Sequence, residues 1–265
     1  MRIDDPNAVP GHSAELPRNR SSHTLYSAMA KRIVVFSGAG VSAESGLRTF
    51  RDSDGLWEQY PLEEVATPEA WARDPARVLH FYDLRREQVR KARPNAAHRA
   101  IAALEAHFHV DVVTQNIDDL HERAGSTRVL HLHGEVLLAR STADPTLLVP
   151  VNGPSLKLGD RCPLGSQLRP HVVWFGEAVP LIAEAAKLVA QADVLIVVGT
   201  SLNVYPAAGL VGLAPASCEM HVVDPQAATL RTTRHVTIWN EKASSGVPKL
   251  ADRLVALAHG EGPYP

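Results

Sequence analysis

Short apolar runs recur along the chain, and most of them are continuous rather than alternating with polar residues. Continuous runs of this length are typical of parallel strands that are covered on both faces. We predict six such strands, the last being the weakest: 32–36, 110–114, 129–132, 194–198, 220–223 and 235–239. Helical periodicity lies around them, at 25–30, 95–108, 117–124, 183–191, 207–213 and 248–258. The alternation predicts an α/β fold with a doubly wound, Rossmann-like parallel sheet.

Two stretches interrupt the alternation, and together they predict a second, smaller lobe. Residues 58–94 read as helical throughout, and residues 134–175 are rich in glycine, proline and turn formers without a clear period. The large lobe would then consist of three segments: 23–57, 95–133 and 176–265. Polar residues 1–22 are predicted to be a flexible arm. A cleft between two lobes is a common place for a ligand.

Composition narrows the class of protein. The chain has 265 residues, with 27 basic and 29 acidic side chains and a net charge of −2, which excludes an electrostatic nucleic-acid clamp as the main activity. No apolar run reaches the ~18 residues of a membrane span, and the first residues lack the apolar core of a signal peptide. The two cysteines, Cys162 and Cys218, exclude a disulfide scaffold and an all-cysteine metal site. We therefore expect a cytoplasmic enzyme without membrane or direct nucleic-acid partners.

A glycine-rich turn follows the first predicted strand. The sequence SGAGVSAESG, residues 37–46, places Gly38, Gly40 and Ala43 in the pattern G-x-G-x-x-A. In a dinucleotide-binding turn the first glycine permits a tight turn, the second lets the backbone approach a pyrophosphate, and the small third residue lets the helix pack on the strand. Ser42 is expected to cap the helix, whose N-terminal amides would favour phosphate. The alternative is a plain strand-to-helix turn that binds nothing.

One late carboxylate is a candidate partner for ribose hydroxyls. Asp224 ends the predicted strand 220–223 and directly precedes Pro225. A carboxylate at the carboxyl end of a parallel strand can hold a ribose and disfavours a 2′-phosphate. A simple Asp-Pro turn would explain the same two residues.

Five segments together resemble the sirtuin family of NAD-dependent protein deacylases. They are GAGVSAESGLRTFR at 38–51, TQNID at 114–118, HG at 133–134, VVWFGE at 172–177 and GTS at 199–201, in the family's order across roughly residues 30–250. The resemblance implies that NAD is a co-substrate, and the Asp224 carboxylate predicts a preference for NAD over NADP. The resemblance also implies that an acyl group moves from lysine to ADP-ribose while nicotinamide is released, and that the partners are acyl-lysine proteins or peptides.

The resemblance also implies which residues bind NAD. Phe50 would cover the reacting face and exclude water, while Gln115 would contact the ribose. Asn116 and Asp118 resemble the pair that holds the nicotinamide carboxamide, which needs one donor and one acceptor. The full implied set is Gly38, Ala39, Gly40, Ser42, Glu44, Phe50, Arg51, Trp57, Gln115, Asn116, Ile117, Asp118, Gly199, Thr200, Ser201, Val223, Asp224, Pro225, Lys242 and Ala243.

His133 is implied as the general base, and Asn116 as the other catalytic residue. A histidine titrates near ~6.5 and can accept a proton at neutral pH. His131 lies two positions earlier, so on a strand both rings would point to the same face. The His-Gly motif alone separates the two histidines at this point.

The segment VVWFGE resembles the strand that pairs with the peptide substrate. An added β-strand gains affinity from main-chain hydrogen bonds with little demand on sequence. The implied substrate contacts are Val173, Trp174, Phe175, Gly176 and Glu177. A core strand over 172–175 is the alternative, and both interpretations can hold.

The segment FYDLRRE, residues 81–87, is the most informative about the acyl group. On a helix, Val78, Tyr82, Arg85 and Val89 share one stripe, where a partly buried arginine favours an anionic partner. Tyr82 and Arg85 resemble the Tyr-x-x-Arg of the class III sirtuins, which prefer succinyl-, malonyl- and glutaryl-lysine. Ala66 resembles the small residue that widens the pocket in that branch. The alternative is a solvated basic helix, to which three neighbours would contribute: Arg86, Arg90 and Lys91.

The chain departs from the family at the structural zinc. The four cysteine positions correspond here to Ser141, Asp144, Cys162 and Gly165, so one thiol survives and His171 is a weak substitute. A structural zinc normally needs four closed ligands, so we predict no metal and a small lobe held by packing. The apolar side chains expected to pack are Leu137, Leu138, Leu147, Leu148, Val149 and Val151.

The sequence therefore predicts a lysine deacylase with a preference for acidic acyl chains. A plain deacetylase, a protein mono-ADP-ribosyltransferase and a non-catalytic sensor of NAD or ADP-ribose are the alternatives. His133 argues against the transferase, since transfer branches can lose that histidine. Phe50, Asn116 and Asp118 argue, with His133, against the sensor.

Overall fold

Parallel strands form the centre of the fold. The computed structural model describes residues 31–47, 59–200, 202, 204–227 and 235–261. The strands in those ranges are β1 (Arg32–Ser37), β2 (His109–Thr114), β3 (Val129–His131), β4 (Gly134–Ser141), β5 (Leu148–Pro150), β6 (Leu168–Val172), β7 (Val194–Val198), β8 (Glu219–Val223) and β9 (Thr237–Trp239). Six of them form one parallel sheet in the order β3-β2-β1-β7-β8-β9. This sheet confirms the predicted fold class.

The strand order creates a switch point between β1 and β7. From β1 the chain builds outward through β2 and β3, and it then returns to build β7, β8 and β9 on the other side. Ligands of doubly wound sheets bind at such a point, outside the carboxyl ends of the strands. The segments after β1, β2, β7 and β8 therefore meet along one edge of the sheet.

Helices cover both faces of the sheet. In the described ranges they are α1 (Gly40–Ala43), α2 (Leu62–Val65), α3 (Pro68–Arg73), α4 (Pro75–Lys91), α5 (Ala96–Ala103), α6 (Leu120–Ala124), α7 (Ile182–Val189) and α8 (Ala243–Ala258), with 3₁₀ turns at Leu104–Ala106 and Ala207–Leu213. One face of β1, with Ile33 and Val35, packs in the cluster that contains α5 and α8, and the other, with Val34 and Phe36, packs against α7. Successive side chains of the central strands are therefore buried, as the continuous apolar runs predicted. None of these helices is both long and apolar enough to cross a bilayer.

Three predicted helices differ from the observed ones. The segment 207–213 is a 3₁₀ turn rather than an α-helix, because Gly209 and Gly212 weaken a short helix. α6 begins at Leu120 rather than at residue 117, because the Asp118 carboxylate accepts the Leu120 N–H at 3.2 Å and forms a turn first. α8 begins at residue 243, well before the predicted start at Pro248.

The stretch 134–175, predicted to lack regular structure, contains a second sheet. β4 pairs with β5 and β6 in an antiparallel sheet of order β5-β4-β6. Its strands escaped prediction because β5 has three residues and β4 is irregular where its pairing with β6 shifts register. β6 ends at Val172, so the predicted strand over 172–175 is wrong beyond its first residue.

The small sheet packs against α4. Leu79 of α4 shares a core with Ala139, Leu156, Cys162 and other buried residues of the small sheet and its loops. Of the six side chains expected to pack there, Val151 is buried, and Leu147 and Val149 pack at the edge of that core. The prediction that Leu148 packs in this core is wrong, because its side chain points outward from β5 and is 42% exposed.

Several sequence predictions fall on residues outside the described ranges. They are the arm at 1–22, the helix at 25–30, and the site residues Phe50, Arg51, Trp57 and Ser201.

Candidate active site

The turns that follow β1 and β7 touch backbone to backbone. The Gly40 N–H donates to the Gly199 carbonyl at 2.8 Å, and a Cβ on Gly38 would lie 2.7 Å from the Thr200 Cβ. Gly199 has φ +61°, and a Cβ there would lie 2.2 Å from the Val41 nitrogen. Only glycine fits these positions. The glycine pattern thus fixes the approach of two strand ends, in addition to any contact with a phosphate.

Ser42 does not have the predicted role as a helix cap. α1 is a single turn with Ala39 at its N-cap position and no side-chain cap. The Ser42 side chain is buried and turns into the protein instead. The expected cap is therefore wrong, because the hydroxyl has stronger partners on neighbouring elements.

Those partners form a hydrogen-bond relay beneath the turn. Asn95 N–H donates to His98 Nδ1 at 3.3 Å, so the proton of the neutral ring lies on Nε2, 3.4 Å from the Ser42 Oγ. Asn116 Nδ2 also donates to the Ser42 Oγ, at 3.1 Å. With two donors on its oxygen, the Ser42 hydroxyl gives its own proton to Asp118. The relay fixes the Asn116 amide with its nitrogen toward Ser42.

Burial controls the charge of the groups in this relay. It raises the pKa of Asp118, while hydrogen bonds from the Leu120 N–H and the Ser42 hydroxyl oppose that rise. Burial also lowers the pKa of His98 to about 4, with Arg99 adding to the effect. His98 is therefore neutral at physiological pH, as the tautomer above requires.

Sequence reasoning missed a second layer of buried polar groups. His121 Nε2 lies 3.0 Å from the Ser37 Oγ, which in turn donates to Thr114 Oγ1 at 2.9 Å. The His98 and His121 rings are 4.9 Å apart, and burial lowers the pKa of His121 well below its usual range. The one local signal of this layer was Asn95, an N-cap residue three positions before His98, whose spacing fits a capping box. Nothing local in the sequence linked His98 to Ser42.

Gln115 joins the ends of three strands. Its N–H donates to the Ser37 carbonyl at 2.9 Å, and its Nε2 donates to Thr200 Oγ1 at 3.1 Å. Its own carbonyl accepts from His133 Nδ1 at 2.9 Å. The residues predicted to follow β1, β2 and β7 are thereby brought together with the predicted base.

The surroundings of the second ring nitrogen, Nε2, distinguish His133 from His131. Each ring is hydrogen-bonded through Nδ1 to a backbone carbonyl of the loop after β2. His133 Nδ1 lies 2.9 Å from the Gln115 carbonyl, and His131 Nδ1 lies 2.9 Å from the Asn116 carbonyl. A carbonyl only accepts, so Nδ1 carries a proton in each ring. His131 Nε2 is bound by Glu122 Oε1 at 2.8 Å, whereas no described residue hydrogen-bonds His133 Nε2. His133 alone presents a free lone pair.

The two histidines also differ in charge. Burial lowers the pKa of His133, and the hydrogen bond to the Gln115 carbonyl opposes this only in part. Burial acts on His131 in the same direction, but Glu122 overcomes it and raises the pKa. His133 thus stays neutral and able to accept a proton under conditions in which His131 is a cation paired with Glu122.

The remaining predicted NAD residues line the neighbouring strand ends. The Glu44 carboxylate accepts from Ser244 N–H at 3.0 Å and from Ser244 Oγ at 2.7 Å, which anchors the start of α8 beside the glycine turn. Lys242 is the N-cap of that helix, and Ala243 is buried in the core beside Val223. The predicted residues of α8 therefore sit next to those of β1 and β8.

Asp224 forms the turn that was its alternative explanation. Its Oδ1 accepts the Gln226 N–H at 2.8 Å, and its own N–H donates to the Trp239 carbonyl at 3.2 Å. One carboxylate oxygen is thus engaged within the protein. Pro225 and the end of β8 place the side chain at the same edge of the sheet as Gly199, whose N–H donates to the Val223 carbonyl at 3.2 Å.

The donors and acceptors at this edge fit NAD. Asn116 Oδ1 has no hydrogen-bond partner among the described residues, because the amide nitrogen is the end fixed on Ser42. A buried amide oxygen and the buried Asp118 carboxylate can together accept the two N–H groups of a carboxamide. The Ile117 carbonyl accepts the Val136 N–H at 2.8 Å, which joins this loop to the small sheet.

A second group of predicted residues meets around Tyr82. The Phe175 N–H donates to the Ala66 carbonyl at 3.0 Å, and Trp174 Nε1 donates to the Tyr82 hydroxyl at 3.1 Å. Ala66, Tyr82 and Trp174 are all at most 3% exposed. Two segments more than 85 residues apart in the sequence thus form one buried wall.

The predicted stripe on α4 is confirmed. Val78, Tyr82 and Val89 are buried, and Arg85 lies among them half-buried. Arg86, one of the residues that a solvated helix would expose, is fully buried. The alternative of a solvated basic face is therefore wrong for the middle of α4.

Arg85 lies close to both predicted subsites. It donates to Gln88 Oε1 at 3.1 Å. Burial lowers the pKa of Arg85, while the charges of Asp118 and Tyr82 act in the opposite direction. The guanidinium therefore lies within electrostatic reach of the carboxamide residues as well as of the Tyr82 wall.

The segment predicted to pair with a peptide already uses its amides. Val173 N–H donates to the His133 carbonyl at 2.9 Å, and Trp174 N–H donates to Glu177 Oε2 at 2.8 Å. Phe175, 44% exposed, donates through its own N–H as described above, and Gly176 turns the chain with φ +89°. A peptide strand would therefore have to pair through the carbonyls of this segment rather than through these three amides.

Glu177, predicted to contact substrate, binds two arginines. Arg169 donates to its Oε1 at 2.7 Å and Arg140 donates to both oxygens at 3.2 Å. Burial raises the pKa of Glu177, but the bonds from Arg169 and Trp174 N–H outweigh it and the pKa is lowered. In this structure the carboxylate orders the turn that carries Trp174.

The positions of the lost zinc ligands do not fit a metal. Ser141 and Ser166 hydroxyls lie 2.8 Å apart, and the Cys162 thiol bonds to them at 3.3 and 3.1 Å. Asp144 Oδ1 accepts from Thr146, outside this cluster. No group of three or more His, Cys, Asp or Glu side chains in the described ranges could hold a metal ion. One thiol with two hydroxyls is a hydrogen-bond cluster, and the absence of zinc stays a prediction.

Two arginines of α4 bind the backbone of the small sheet and its loops. Arg86 Nε donates to the Val136 carbonyl at 2.9 Å, and Arg90 Nη1 donates to the Gly153 carbonyl at 2.8 Å. Arg86 also pairs with Asp83, whose Oδ1 accepts the Leu156 N–H at 3.0 Å. These bonds tie α4 to β4 and to the loop after β5.

Replacing Arg86 with methionine should therefore destabilise the protein, whereas a chelator should not. Removing one partner of a buried ion pair costs about 3 kcal/mol, so urea unfolding should show a loss of that size. The exposed Lys91→Met on the same helix is the matched control and should change stability by less than about 0.5 kcal/mol. One equivalent of zinc in the purified protein, or a lower Tm in EDTA, would contradict the metal-free prediction.

Known proteins resemble this chain in sequence and in fold. The Sir2 family model matches residues 38–206. The NAD-dependent protein deacylase of Helicobacter pylori is 50% identical over 228 residues, which are 86% of this chain and 99% of that protein. A solved complex of a Sir2 homologue with NAD has a TM-score of 0.77 at 40% identity and covers 90% of this chain and 95% of its own. A solved complex of Sir2 with a p53 peptide and NAD+ has a TM-score of 0.69 at 28% identity, and the match covers 91% of this chain and 99% of that chain.

Proposed function

The chain belongs to the Sir2 family and acts as an NAD-dependent protein deacylase, and on that premise we propose that it prefers acyl-lysines whose acyl chain ends in a carboxylate. Succinyl-, malonyl- and glutaryl-lysine in proteins or peptides are the substrates of this kind. The observation that carries the proposal is the pairing of Tyr82 and Arg85 on one buried stripe beside Trp174.

NAD would be held along the edge where β1, β2, β7 and β8 end. Bound there, it supplies a nicotinamide–ribose bond that breaks as the acyl oxygen attacks the ribose. Asn116 and Asp118 would orient the carboxamide through the Asn116 oxygen, which the Ser42 relay leaves free, and through the remaining acceptor capacity of the Asp118 carboxylate. The turn residues Gly38–Gly40 and Gly199–Thr200 would lie along the phosphates and the adenosine side.

His133 would accept a proton at Nε2. Its Nδ1–H is fixed on the Gln115 carbonyl, so the lone pair of the neutral ring has one position. The ribose hydroxyl that attacks the acyl carbon loses its proton to such a base. Because Gln115 also bonds Thr200, the base and the nucleotide turn share one support.

The acyl carboxylate would meet Arg85 and Tyr82. A guanidinium can grip a carboxylate through two parallel N–H···O bonds, and a phenol can add a third. An acetyl group ends in a methyl and can make none of these bonds. A half-buried arginine whose pKa burial lowers is better stabilised by an arriving carboxylate than by a methyl group.

A panel of acyl-lysine peptides of one sequence tests the proposal. Acetyl, succinyl, malonyl and glutaryl forms are each incubated with NAD, and nicotinamide release is followed. We expect kcat/KM for the acidic acyl chains to exceed that for acetyl by at least about tenfold, as for charge-assisted hydrogen bonds. Equal or faster turnover of the acetyl peptide would instead make the protein a plain deacetylase.

The same panel separates the other activities. Labelled ADP-ribose attached covalently to protein, without loss of the acyl group, would indicate a mono-ADP-ribosyltransferase. Binding of NAD without nicotinamide release from any peptide would indicate a sensor. The free Nε2 of His133 favours deacylation over both the transferase and the sensor function, because it provides a general base.

A further inference from the structure

Trp174 contacts both Tyr82 and the ion cluster that Glu177 forms with Arg140 and Arg169. Its side chain is 2% exposed, with the Arg169 guanidinium carbon 3.3 Å from the ring centroid and the Trp71 ring 5.7 Å away. Its backbone N–H is bound by Glu177 at 2.8 Å. Both the ring and the backbone of Trp174 are thus held in place by groups other than Tyr82.

The indole reaches Tyr82 with its one polar atom. An indole N–H can only donate, so in the 3.1 Å contact the Tyr82 oxygen must accept. The Tyr82 proton then has to point elsewhere, and no residue in the described ranges accepts it. A buried hydroxyl in this state is ready to donate to a group that enters the pocket.

Resting on the proposed acyl preference, we propose that Trp174 is a specificity-determining positioning residue, whose indole N–H fixes the Tyr82 hydroxyl as a donor toward the carboxylate of the acyl chain. A carboxylate only accepts hydrogen bonds, so it gains from a phenol whose proton is already directed at it. The methyl of an acetyl group gains nothing. Trp174 would therefore change the ratio between acyl chains rather than the reaction as a whole.

The ion cluster explains how the indole keeps its position. Arg169 binds Glu177 at 2.7 Å and the Val172 carbonyl at 3.0 Å while it covers the Trp174 ring. Arg140 also donates to both Glu177 oxygens, at 3.2 Å. A ring packed between the Arg169 cation and the half-buried Trp71 ring loses little further freedom when substrate binds, which favours selectivity.

Trp174→Phe removes the N–H while it keeps an aromatic ring under Arg169. We expect the ratio of kcat/KM for succinyl over acetyl peptide to fall by about three- to tenfold. Trp71→Phe is the matched control, since that ring contacts Trp174 but makes no hydrogen bond to Tyr82, and its ratio should stay unchanged. Tyr82→Phe should lower the ratio at least as much as Trp174→Phe.

The double variant Tyr82→Phe with Trp174→Phe decides the question. If the indole acts through the Tyr82 hydroxyl, adding Trp174→Phe to Tyr82→Phe should change the ratio no further. Equal losses on succinyl and acetyl peptides, or a Trp174→Phe effect that persists in the Tyr82→Phe background, would overturn the role of Trp174. A parent protein that does not prefer succinyl would overturn the proposed function instead, and this is measured first.

A spectroscopic measurement keeps the test independent of how well Trp174→Phe folds. In the ¹⁵N-labelled full chain, which has four tryptophans, the indole N–H resonance of Trp174 should move when Tyr82 becomes phenylalanine. In the parent it should move more on binding succinyl than acetyl peptide, because a carboxylate on the Tyr82 proton polarises the oxygen that accepts from the indole. An indole resonance that responds to neither change contradicts the proposal.

Discussion

Arg85→Met should lower kcat/KM for a succinyl-lysine peptide by about 30- to 150-fold while leaving the acetyl peptide nearly unchanged. The loss corresponds to about 2–3 kcal/mol, the value of a charge-assisted hydrogen-bonded pair. Methionine fills the stripe between Tyr82 and Val89 without a charge, so α4 should keep its packing. Because the anchor acts on the bound acyl chain, most of the effect should appear in KM.

Two further variants test whether the effect of Arg85→Met comes from the guanidinium group itself. Arg85→Lys keeps the charge but loses the planar fork, so it should retain only part of the preference. Lys91→Met removes a basic group from the exposed end of the same helix and should leave all four acyl peptides unaffected. A parallel fall on acetyl and succinyl peptides in Arg85→Met would show general disruption of the site and contradict the anchoring role.

The sequence predicted those features that have a local pattern. Buried parallel strands leave continuous apolar runs, so each predicted strand of the large sheet was found within two residues of its observed ends. The stripe of Tyr82 and Arg85 was predicted because helical spacing alone places them together. Both predictions rest on residues that are close in the chain.

Features that depend on distant partners were not predictable in this way. Ser42 was assigned to a local cap, whereas its hydroxyl binds Asn116 and His98, which lie 74 and 56 residues away. Glu44 was assigned to NAD, and the structure shows it on Ser244, 200 residues away. The small sheet was missed because β5 has only three residues and β4 is irregular and partly exposed, so its alternation is weak.

The difference between His131 and His133 also arose only in three dimensions. Strand alternation predicted both rings on the same face, and both do donate to carbonyls of the loop after β2. Their separation depends on Glu122, a residue of α6 that occupies Nε2 of one ring and leaves the other open. A motif could select His133 by resemblance, but the physical reason for the choice is the free nitrogen.

His133→Asn should abolish deacylation almost completely, with a fall in kcat of about 10²- to 10⁴-fold, the usual contribution of a general base. Asparagine can still donate an N–H to the Gln115 carbonyl, so the loop and NAD binding should survive, as calorimetry would verify. Nicotinamide release should fall less than acyl transfer, because the base acts after the bond to nicotinamide has begun to break.

His131→Asn is the matched control, since it also keeps a donor for a loop carbonyl and loses only the bond to Glu122. We expect less than about tenfold loss of kcat, because the ion pair between His131 and Glu122 takes no proton from the substrate and the general-base contribution stays with His133. The pH profile gives an independent reading. Burial lowers the pKa of His133, so the neutral, active form persists below the ordinary histidine range of ~6.5, and the rate falls only as the pH drops through that lowered value. A larger loss in His131→Asn than in His133→Asn would show that His131, and not His133, accepts the proton. The free lone pair on His133 Nε2 would then have no part in the reaction.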